Sequence, residues 1–268
     1  MNHKPKALIT GASSGIGAAF ARDLAERGYD LILVARRADR LKDLADQLKE
    51  QHGTASTIAP VDLNLPNMPR KLAEALKARG QYVEMLVNNA GYSLPGHLLD
   101  QDWEQHRDFL QIMVNAPIEL SWHLLPTMLE RGRGNIINVA SVAGLIPGTA
   151  GHTLYSAAKA FMIKFSQSLA LEYRDQGIHT CAVCPGFTWS EFHDVNGSRA
   201  LMNKMPKWMW LDSDRVAREG IDAVLKGKVV QVSGLQYKAI HAITKLLPER
   251  LLLRMIARRS AQFRVQSA

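Results

Sequence analysis

A glycine-rich turn between a strand pattern and a helix pattern is the feature that most restricts how this chain folds. The apolar segment Lys6–Thr10 predicts a strand, and residues 18–27 predict a helix. Gly11, Gly15 and Gly17 lie between them. Glycine allows positive φ and the close approach of a ligand, and a helix N-terminus favours phosphate. The spacing Gly-x-x-x-Gly-x-Gly alone fits a purely structural turn equally well, but its place in a βα unit favours a dinucleotide.

Strand and helix patterns alternate along the rest of the chain, which is typical of a parallel sheet covered by helices on both faces. We predict strands at residues 6–10, 30–35, 54–61, 84–88, 135–140, 178–183 and 228–232, and helices at residues 18–27, 39–51, 68–79, 102–130 and 154–174. The expected fold class is therefore α/β, a Rossmann-type doubly wound parallel sheet of about seven strands. We expect one domain over residues 1–268, with a dinucleotide-binding and catalytic core at 1–232 and an extension at 233–268.

Several short segments come directly after predicted strands. Asn89, Ala90 and Gly91 follow the fourth strand, Ser141 follows the fifth, and Pro185 and Gly186 follow the sixth. Ligands of open α/β sheets bind outside the carboxyl ends of the strands. We therefore expect these segments and the glycine turn to share one edge of the sheet and to form one site.

Tyr155 and Lys159 are four residues apart in a predicted helix, so their side chains lie on one face about one turn apart. A free tyrosine has a pKa of about 10, which is too high for a base at neutral pH. We expect the neighbouring ammonium to lower the pKa of the Tyr155 phenol. The pair by itself fits a buried tyrosine beside a surface lysine. Together with the glycine turn and Ser141, it favours a role of Tyr155 and Lys159 in proton transfer.

In order and spacing, these motifs resemble the single-domain short-chain dehydrogenases/reductases. The resemblance covers about residues 5–232 and rests on the turn at 10–17, Asn-Asn-Ala-Gly at 88–91, and the residues Asn115, Ser141, Tyr155, Lys159, Pro185 and Gly186. It implies that Asn115, Ser141, Tyr155 and Lys159 form a catalytic tetrad. Tyr155 would exchange a proton with the carbonyl or alcohol oxygen, and Ser141 would bind that oxygen. Lys159 would hold the nicotinamide ribose and Asn115 a relay water. Hydride transfer to or from a nicotinamide requires no metal.

NADP(H) is the predicted cofactor. NAD enzymes of this architecture usually have an acid at the end of the second strand, whereas here Arg36 and Arg37 follow an alanine. A guanidinium binds a 2′-phosphate through charge-assisted hydrogen bonds, and a serine of the glycine turn would add a contact. The resemblance places Asp62 and Leu63 beside the adenine. The full set of expected cofactor-binding residues is Gly11, Ser13, Ser14, Gly15, Ile16, Gly17, Arg36, Arg37, Asp62, Leu63, Asn89, Ala90, Gly91, Tyr155, Lys159, Pro185, Gly186, Thr188 and Ser190.

Residues 187–211 correspond to the part of the family in which the substrate lid varies. This segment is rich in aromatic residues and methionines, namely Phe187, Trp189, Phe192, Met202, Met205, Trp208, Met209 and Trp210. Such side chains are typical of pockets for apolar ligands, which favours a bulky or apolar ketone or aldehyde as the small-molecule substrate. Packing against the body or against a second subunit is an equally good interpretation of the same residues.

The net charge of +8 resides in the C-terminal part of the chain. Residues 226–268 contain nine Lys or Arg and one acid, which leaves 24 residues of each sign before them. Residues 237–263 interleave apolar and basic side chains, and Pro248 is expected to start a helix. A basic amphipathic helix favours peripheral contact with an anionic membrane, and packing on the body or on a partner subunit is the alternative. Nucleic acid is not expected, because no binding motif accompanies the charge.

Composition restricts the remaining possibilities. Cys181 and Cys184 lie in a predicted strand and face opposite ways, so we expect core thiols rather than a disulfide, a redox pair or a metal site. With no signal-peptide pattern at the start, a cytoplasmic location is expected, with peripheral membrane contact as an addition. By resemblance, a homodimer or homotetramer forms through two long helices.

Two other functions remain open at this point. The first is a non-catalytic NADP-binding sensor on the same fold, because fold does not guarantee activity. The intact set of Ser141, Tyr155 and Lys159 argues against it. The second is a sugar epimerase or dehydratase, whose glycine spacing Gly-x-x-Gly-x-x-Gly this chain lacks.

Overall fold

Seven parallel strands form one sheet in the computed structural model, which describes residues 4–191 and 206–260. The spatial order is β3-β2-β1-β4-β5-β6-β7. The strands are β1 (Lys6–Thr10), β2 (Asp30–Ala35), β3 (Ser56–Pro60), β4 (Met85–Asn88), β5 (Gly134–Val139), β6 (Ile178–Cys184) and β7 (Val230–Val232). This confirms the predicted doubly wound parallel sheet.

The helices are α1 (Gly15–Glu26), α2 (Ala38–His52), α3 (Met68–Ala78), α4 (Trp103–Leu110), α5 (Ala116–Glu130), α6 (Thr153–Tyr173), α7 (Ser213–Leu225), α8 (Leu235–Leu246) and α9 (Glu249–Ser260). Successive strand residues point to opposite faces of the sheet. Ile9, Val87 and Ile137 therefore pack with α1, α2 and α7 on one face. Leu8, Leu86 and Ile136 pack with α3 and α5 on the other. Cys181 and Cys184 are buried free thiols in β6, as predicted.

The single helix predicted at residues 102–130 is interrupted in the structure. A π-helical turn, Gln111–Asn115, separates α4 from α5, and Ala116 N–H donates to Gln111 O across it. Pro117 explains the change, because it lacks an N–H and its ring would clash with the carbonyl of Met113 in a regular helix. The backbone widens at this point instead.

The C-terminal extension forms two helices rather than one. The break lies at Leu247, which is extended as residues before proline usually are. Pro248 directly precedes α9 and its carbonyl accepts from the N–H groups of Leu251 and Leu252, so the predicted helix start is confirmed. Among the described residues, no helix combines the length and the apolar character needed to cross a bilayer.

Candidate active site

The glycine turn takes a backbone path that other residues do not follow easily. Gly11 and Gly15 have φ of +67° and +54°. An alanine Cβ at position 17 would lie 2.2 Å from Gly11 O, so only glycine fits there. The helix α1 begins at Gly15, and the side chain of Ser14 does not cap its first N–H groups. These donors and the positive end of the helix dipole suit a phosphate, so the turn fits a dinucleotide.

The segment after β4 is fastened to the end of β1. Thr10 Oγ1 accepts from Asn89 N at 2.9 Å and from Ala90 N at 3.0 Å, and Asn89 Nδ2 donates to Thr10 O at 2.9 Å. A Cβ at Gly91 would lie 2.5 Å from Met113 Sδ in the π-helical turn. The structure therefore brings the predicted Asn-Ala-Gly segment against the glycine turn. The sequence analysis placed Thr10 at the start of the turn motif but predicted no role for its side chain.

The arginine at the start of α2 binds the glycine turn. Arg37 Nη2 donates to Ser13 Oγ and to Ser14 Oγ, both at 3.0 Å. Arg36 is exposed next to it. One contact was not expected from sequence: Arg37 Nη1 lies 3.0 Å from Glu191 Oε2, and Arg40 also pairs with this carboxylate. The Arg37 guanidinium thus contacts both the glycine turn and the Glu191 carboxylate.

The residues predicted to flank the adenine follow β3. Asp62 Oδ1 accepts from Asn64 N at 3.0 Å, and Leu63 is buried. Burial raises the pKa of Tyr92, with Asp108 and Asp62 adding to the increase and Arg36 opposing it. These three charges therefore lie close enough to Tyr92 to act on its hydroxyl.

Ser141, Tyr155 and Lys159 come together at the end of β5. Ser141 and Tyr155 share a side-chain hydrogen bond. Lys159 Nζ donates to Val139 O at 2.8 Å and lies 5.6 Å from the centroid of the Tyr155 ring. Ser141 and Lys159 are 8% and 7% exposed, so water reaches neither side chain freely.

The predicted acidification of Tyr155 is wrong for this structure. Burial raises the pKa of Tyr155 to about 12, and the hydrogen bond with Ser141 opposes this rise only in part. Burial also lowers the pKa of Lys159 to about 8. Desolvation disfavours the charged form of both groups, and here it outweighs any attraction between them. The phenol is therefore protonated at neutral pH.

Asn115, the fourth predicted tetrad member, is hydrogen-bonded within its own turn. It ends the π-helical turn with an exposed side chain, and its Nδ2 donates to Gln111 Oε1 at 3.2 Å. The turn itself packs against α6, the helix of Tyr155 and Lys159. Within the described part of the chain, no hydrogen bond joins Asn115 to Lys159.

The turn after β6 contacts both the end of β5 and the glycine turn. Ser141 Oγ donates to Pro185 O at 3.5 Å, and Thr188 Oγ1 donates to Gly186 O at 3.0 Å. A Cβ on Gly15 would lie 2.8 Å from Ser190 Cβ. Thr188 and Ser190, two of the predicted cofactor-binding residues, are therefore in a turn that lies beside both Ser141 and the glycine turn.

Two polar groups near the site were not predicted. Asn88 Nδ2 donates to Asn138 Oδ1 and Asn138 Nδ2 donates to Ser166 Oγ, both at 2.9 Å and buried, which ties β4, β5 and α6 together. His152, three residues before Tyr155, has Nδ1 3.2 Å from Ser93 Oγ. A polar residue inside an apolar strand was the available signal for Asn138; no sequence signal marks His152.

The aromatic segment is described at its two ends. Trp189 stacks on Trp210 with ring centroids 4.0 Å apart, and Phe187 lies 5.9 Å from Trp210. Trp208 is 64% exposed. The other predicted lid residues Phe192, Met202 and Met205 lie outside the described residues.

The fold and these motifs have close counterparts among known proteins. A short-chain dehydrogenase from Sphingobium yanoikuyae, solved in complex with NADPH, is 31% identical with a TM-score of 0.80, covering 90% of this chain and 93% of that one. A bulky-bulky ketone specific alcohol dehydrogenase from Comamonas testosteroni is 28% identical with a TM-score of 0.76, covering 98% of this chain and 96% of that one.

Sequence comparison gives the same family. A very-long-chain 3-oxoacyl-CoA reductase of Anas platyrhynchos is 34% identical over 71% of this chain, and the alignment spans 62% of that protein, less than two thirds of its length. A family model described as short chain dehydrogenase matches residues 5–199. That match exceeds half of the sequence, and the chain therefore belongs to the short-chain dehydrogenase family.

Proposed function

We propose that this oxidoreductase is an NADP(H)-dependent reductase that converts a bulky or apolar ketone or aldehyde to the alcohol. The observation that carries the proposal is the juxtaposition of Ser141, Tyr155 and Lys159 at the sheet edge that also holds the glycine turn. A coenzyme bound in that turn would supply or accept the hydride. The tetrad residues would transfer the proton to the carbonyl oxygen.

The pKa values favour the reductive direction. With its pKa raised to about 12, Tyr155 carries its proton at neutral pH and suits the role of general acid toward a carbonyl oxygen. Ser141 would donate a hydrogen bond to the same oxygen and fix its position. Lys159 would hold the ribose hydroxyls and stabilise the phenolate left after proton donation. The water relay through Asn115 remains a prediction from the family.

The preference for NADP(H) rests on Arg37. Its guanidinium is fixed by two serine hydroxyls of the glycine turn, and no acid ends β2. A 2′-phosphate would find Arg37, exposed Arg36 and the hydroxyls of Ser13 and Ser14 at one place. Asp62 and Leu63 would flank the adenine, and Thr188 and Ser190 would contact the carboxamide. The Sphingobium protein, named above as an NADPH complex, supports this cofactor.

The apolar substrate is supported by the aromatic ends of the segment at 187–211. Trp189 is stacked yet 49% exposed, and Trp208 also faces solvent, so both offer apolar surface beside the site. The Comamonas enzyme is named for bulky ketones, and the Anas enzyme for a very-long-chain substrate. We propose that residues 187–211 form the substrate lid.

A coenzyme and substrate panel tests the proposal. NADPH and NADH consumption is measured with bulky aryl ketones, long-chain ketones and small polar aldehydes, for the wild type and Tyr155→Phe. We expect turnover with NADPH and bulky ketones, and a loss of at least about a thousandfold in Tyr155→Phe, since its general acid is removed. Best activity on small polar aldehydes would reject the apolar substrate. Tight NADPH binding without turnover would point to a sensor.

We further propose a homodimer or homotetramer. The helices α5 and α6 leave the large apolar side chains Trp122 and Leu171 70% and 88% exposed, and Phe161 is 41% exposed. Exposed apolar patches of this kind mark protein interfaces. Light scattering on the wild type and on Trp122→Ser/Leu171→Ser tests the assembly; a monomeric wild type would reject it.

We also propose peripheral contact of α8 and α9 with an anionic membrane. Tyr237 and Leu252 pack inward, so part of the extension lies on the body, as the alternative interpretation held. Exposed apolar side chains nevertheless remain on Ile243, Leu246, Leu251, Leu253 and Met255. Arg250 and Arg254 are exposed among them, which suits anionic lipid headgroups. A cytoplasmic location remains a prediction.

A further inference from the structure

Two backbone segments meet at the rim of the active site. The first is the turn after β6, residues 185–189, and the second is the stretch that leads into α7, residues 208–211. Leu211 N donates to Phe187 O at 2.8 Å, and Trp189 N donates to Leu211 O at 3.0 Å. We call these two segments the paired stems. The first stem contains Gly186 and Thr188, which lie at the proposed nicotinamide position.

A single tyrosine from α8 bonds to both stems. Tyr237 Oη accepts from Phe187 N at 3.0 Å and donates to Met209 O at 2.7 Å. The side chain is 3% exposed, so water does not substitute for these bonds. The neighbouring Gln236 adds a weaker contact, Nε2 to Trp208 O at 3.3 Å.

The Tyr237 ring also fills the space beside the first stem. A Cβ on residue 186 would lie 1.9 to 2.3 Å from three carbons of this ring. The turn after β6 can therefore approach α8 only because residue 186 is glycine. Leu211 and Val232 pack in the same apolar cluster as Tyr237, so the ring is held from several sides.

The first stem is therefore held at two points. Ser141 Oγ donates to Pro185 O at its start, and the Tyr237 hydroxyl accepts from Phe187 N at its middle. We propose that Tyr237 is a positioning residue that sets the nicotinamide-binding turn, Pro185 to Thr188, in register with Ser141. The inference rests on the proposed function. The residue lies beyond residues 5–199, the part that the family model covers.

The hydroxyl acts as donor and acceptor at once, so it needs its proton. Burial raises the pKa of Tyr237 to about 12, and its hydrogen bond from Phe187 N–H opposes the rise. Both bonds therefore persist over the pH range in which the enzyme is assayed.

The test uses two ligands that share the adenine end but differ at the nicotinamide. Dissociation constants for NADPH and for adenosine 2′,5′-bisphosphate are measured on the full chain for the wild type and Tyr237→Phe, which keeps the ring and removes the hydroxyl. We expect the Kd of NADPH to rise about five- to tenfold, the effect of roughly one lost buried hydrogen bond. The Kd of the bisphosphate, which has no nicotinamide, should stay within about twofold.

Tyr82→Phe is the matched control. Its hydroxyl also donates to a backbone carbonyl, Arg133 O at 2.6 Å, but before β4 and β5 at the opposite edge of the sheet. We expect neither dissociation constant to change in this variant. Both constants report only on folded molecules, so their ratio does not depend on how much of a variant folds.

The outcomes separate the inference from the proposed function. A selective loss of NADPH affinity in Tyr237→Phe supports the positioning role. Equal weakening of both ligands, or no change in NADPH affinity, overturns it while leaving the proposed function intact. A wild type that binds neither ligand overturns the proposed function itself, and the positioning role with it.

Discussion

Lys159 is the ionisable residue whose burial most affects stability. Burial lowers its pKa to about 8 from the ordinary lysine value of 10.5, so between these pH values the unfolded chain binds more protons than the folded one. Folding stability therefore rises with pH through this window. Below pH 8 the folded protein retains the full cost of a buried ammonium, roughly 3 kcal/mol by the size of the shift.

We predict that Lys159→Met inactivates the enzyme but stabilises it in a pH-dependent way. The gain over the wild type should be largest at pH 7 and should shrink above pH 8, as the wild-type lysine loses its charge. Denaturant unfolding at pH 7, 8 and 9.5 measures this difference. Lys164→Met, on the exposed side of the same helix, is the control. The prediction would be contradicted if the stability difference between Lys159→Met and the wild type did not change with pH, as we expect for Lys164→Met.

Glu191 lies against Arg37, the residue proposed to favour NADP(H). Its carboxylate pairs with Arg37 and Arg40, which holds the pKa of Glu191 below its usual value. The same guanidinium groups would have to serve a 2′-phosphate. We predict that Glu191→Gln tightens NADPH binding about threefold, a modest effect because the ion pairs are partly exposed. NADH affinity should not change. Fluorescence titration measures the dissociation constants of both coenzymes. An equal increase in affinity for NADH would contradict the prediction.

At the level of elements, the approach of α6 to the turn after β5 sets the distance between Tyr155 and Ser141. A Cβ on Gly144 would lie 2.6 Å from Ala160 N and from Lys159 C, which are backbone atoms that cannot rotate away. Its φ is not in the left-handed region, so the constraint is steric. We predict that Gly144→Ala displaces α6, costs about 1 to 3 kcal/mol of stability and lowers kcat at least about tenfold.

A glycine four residues later provides the control for this prediction. A Cβ on Gly148 meets nothing within 4 Å, and its φ is ordinary. Gly148→Ala should change stability by less than about 0.5 kcal/mol and leave kcat unchanged. Thermal unfolding and steady-state kinetics on both variants measure these changes in stability and kcat. Equal behaviour of the two would show that close packing at Gly144 is not what sets the site.

The elements also show what a sequence can and cannot predict. Strands such as β4 and β6 could be found because buried parallel strands are continuous apolar runs, and the glycine turn because only glycine tolerates its φ. The π-helical turn was missed because its cause, Pro117, acts on a carbonyl four residues back. The bonds from Asn138 join residues 28 and 50 positions apart, which no local pattern encodes. The predicted lowering of the Tyr155 pKa was wrong because the burial that raises this pKa is a property of the fold, which the local sequence does not contain.

At the level of the whole molecule, the charge is divided between a neutral body and a basic extension. Residues 226–268, which include the extension, carry the whole excess of +8. The structure leaves Arg250 and Arg254 exposed beside apolar side chains on α9. It cannot simply be deleted in an experiment, because α8 contributes Tyr237 to the active-site rim. Substitution of arginines on α9 separates membrane contact from that role.

We predict that the full chain sediments with liposomes containing phosphatidylserine and not with phosphatidylcholine alone. Arg250→Gln/Arg254→Gln should weaken this binding by about 2 kcal/mol, roughly thirtyfold, since each basic residue near an anionic surface contributes about 1 kcal/mol. Arg70→Gln/Arg79→Gln, the same charge change at two exposed arginines at the ends of α3, should have little effect. Equal sedimentation of the two variants would mean that net charge alone attracts the protein. Sedimentation with neither lipid would reject the membrane contact and leave the apolar side chains of α9 for a protein partner.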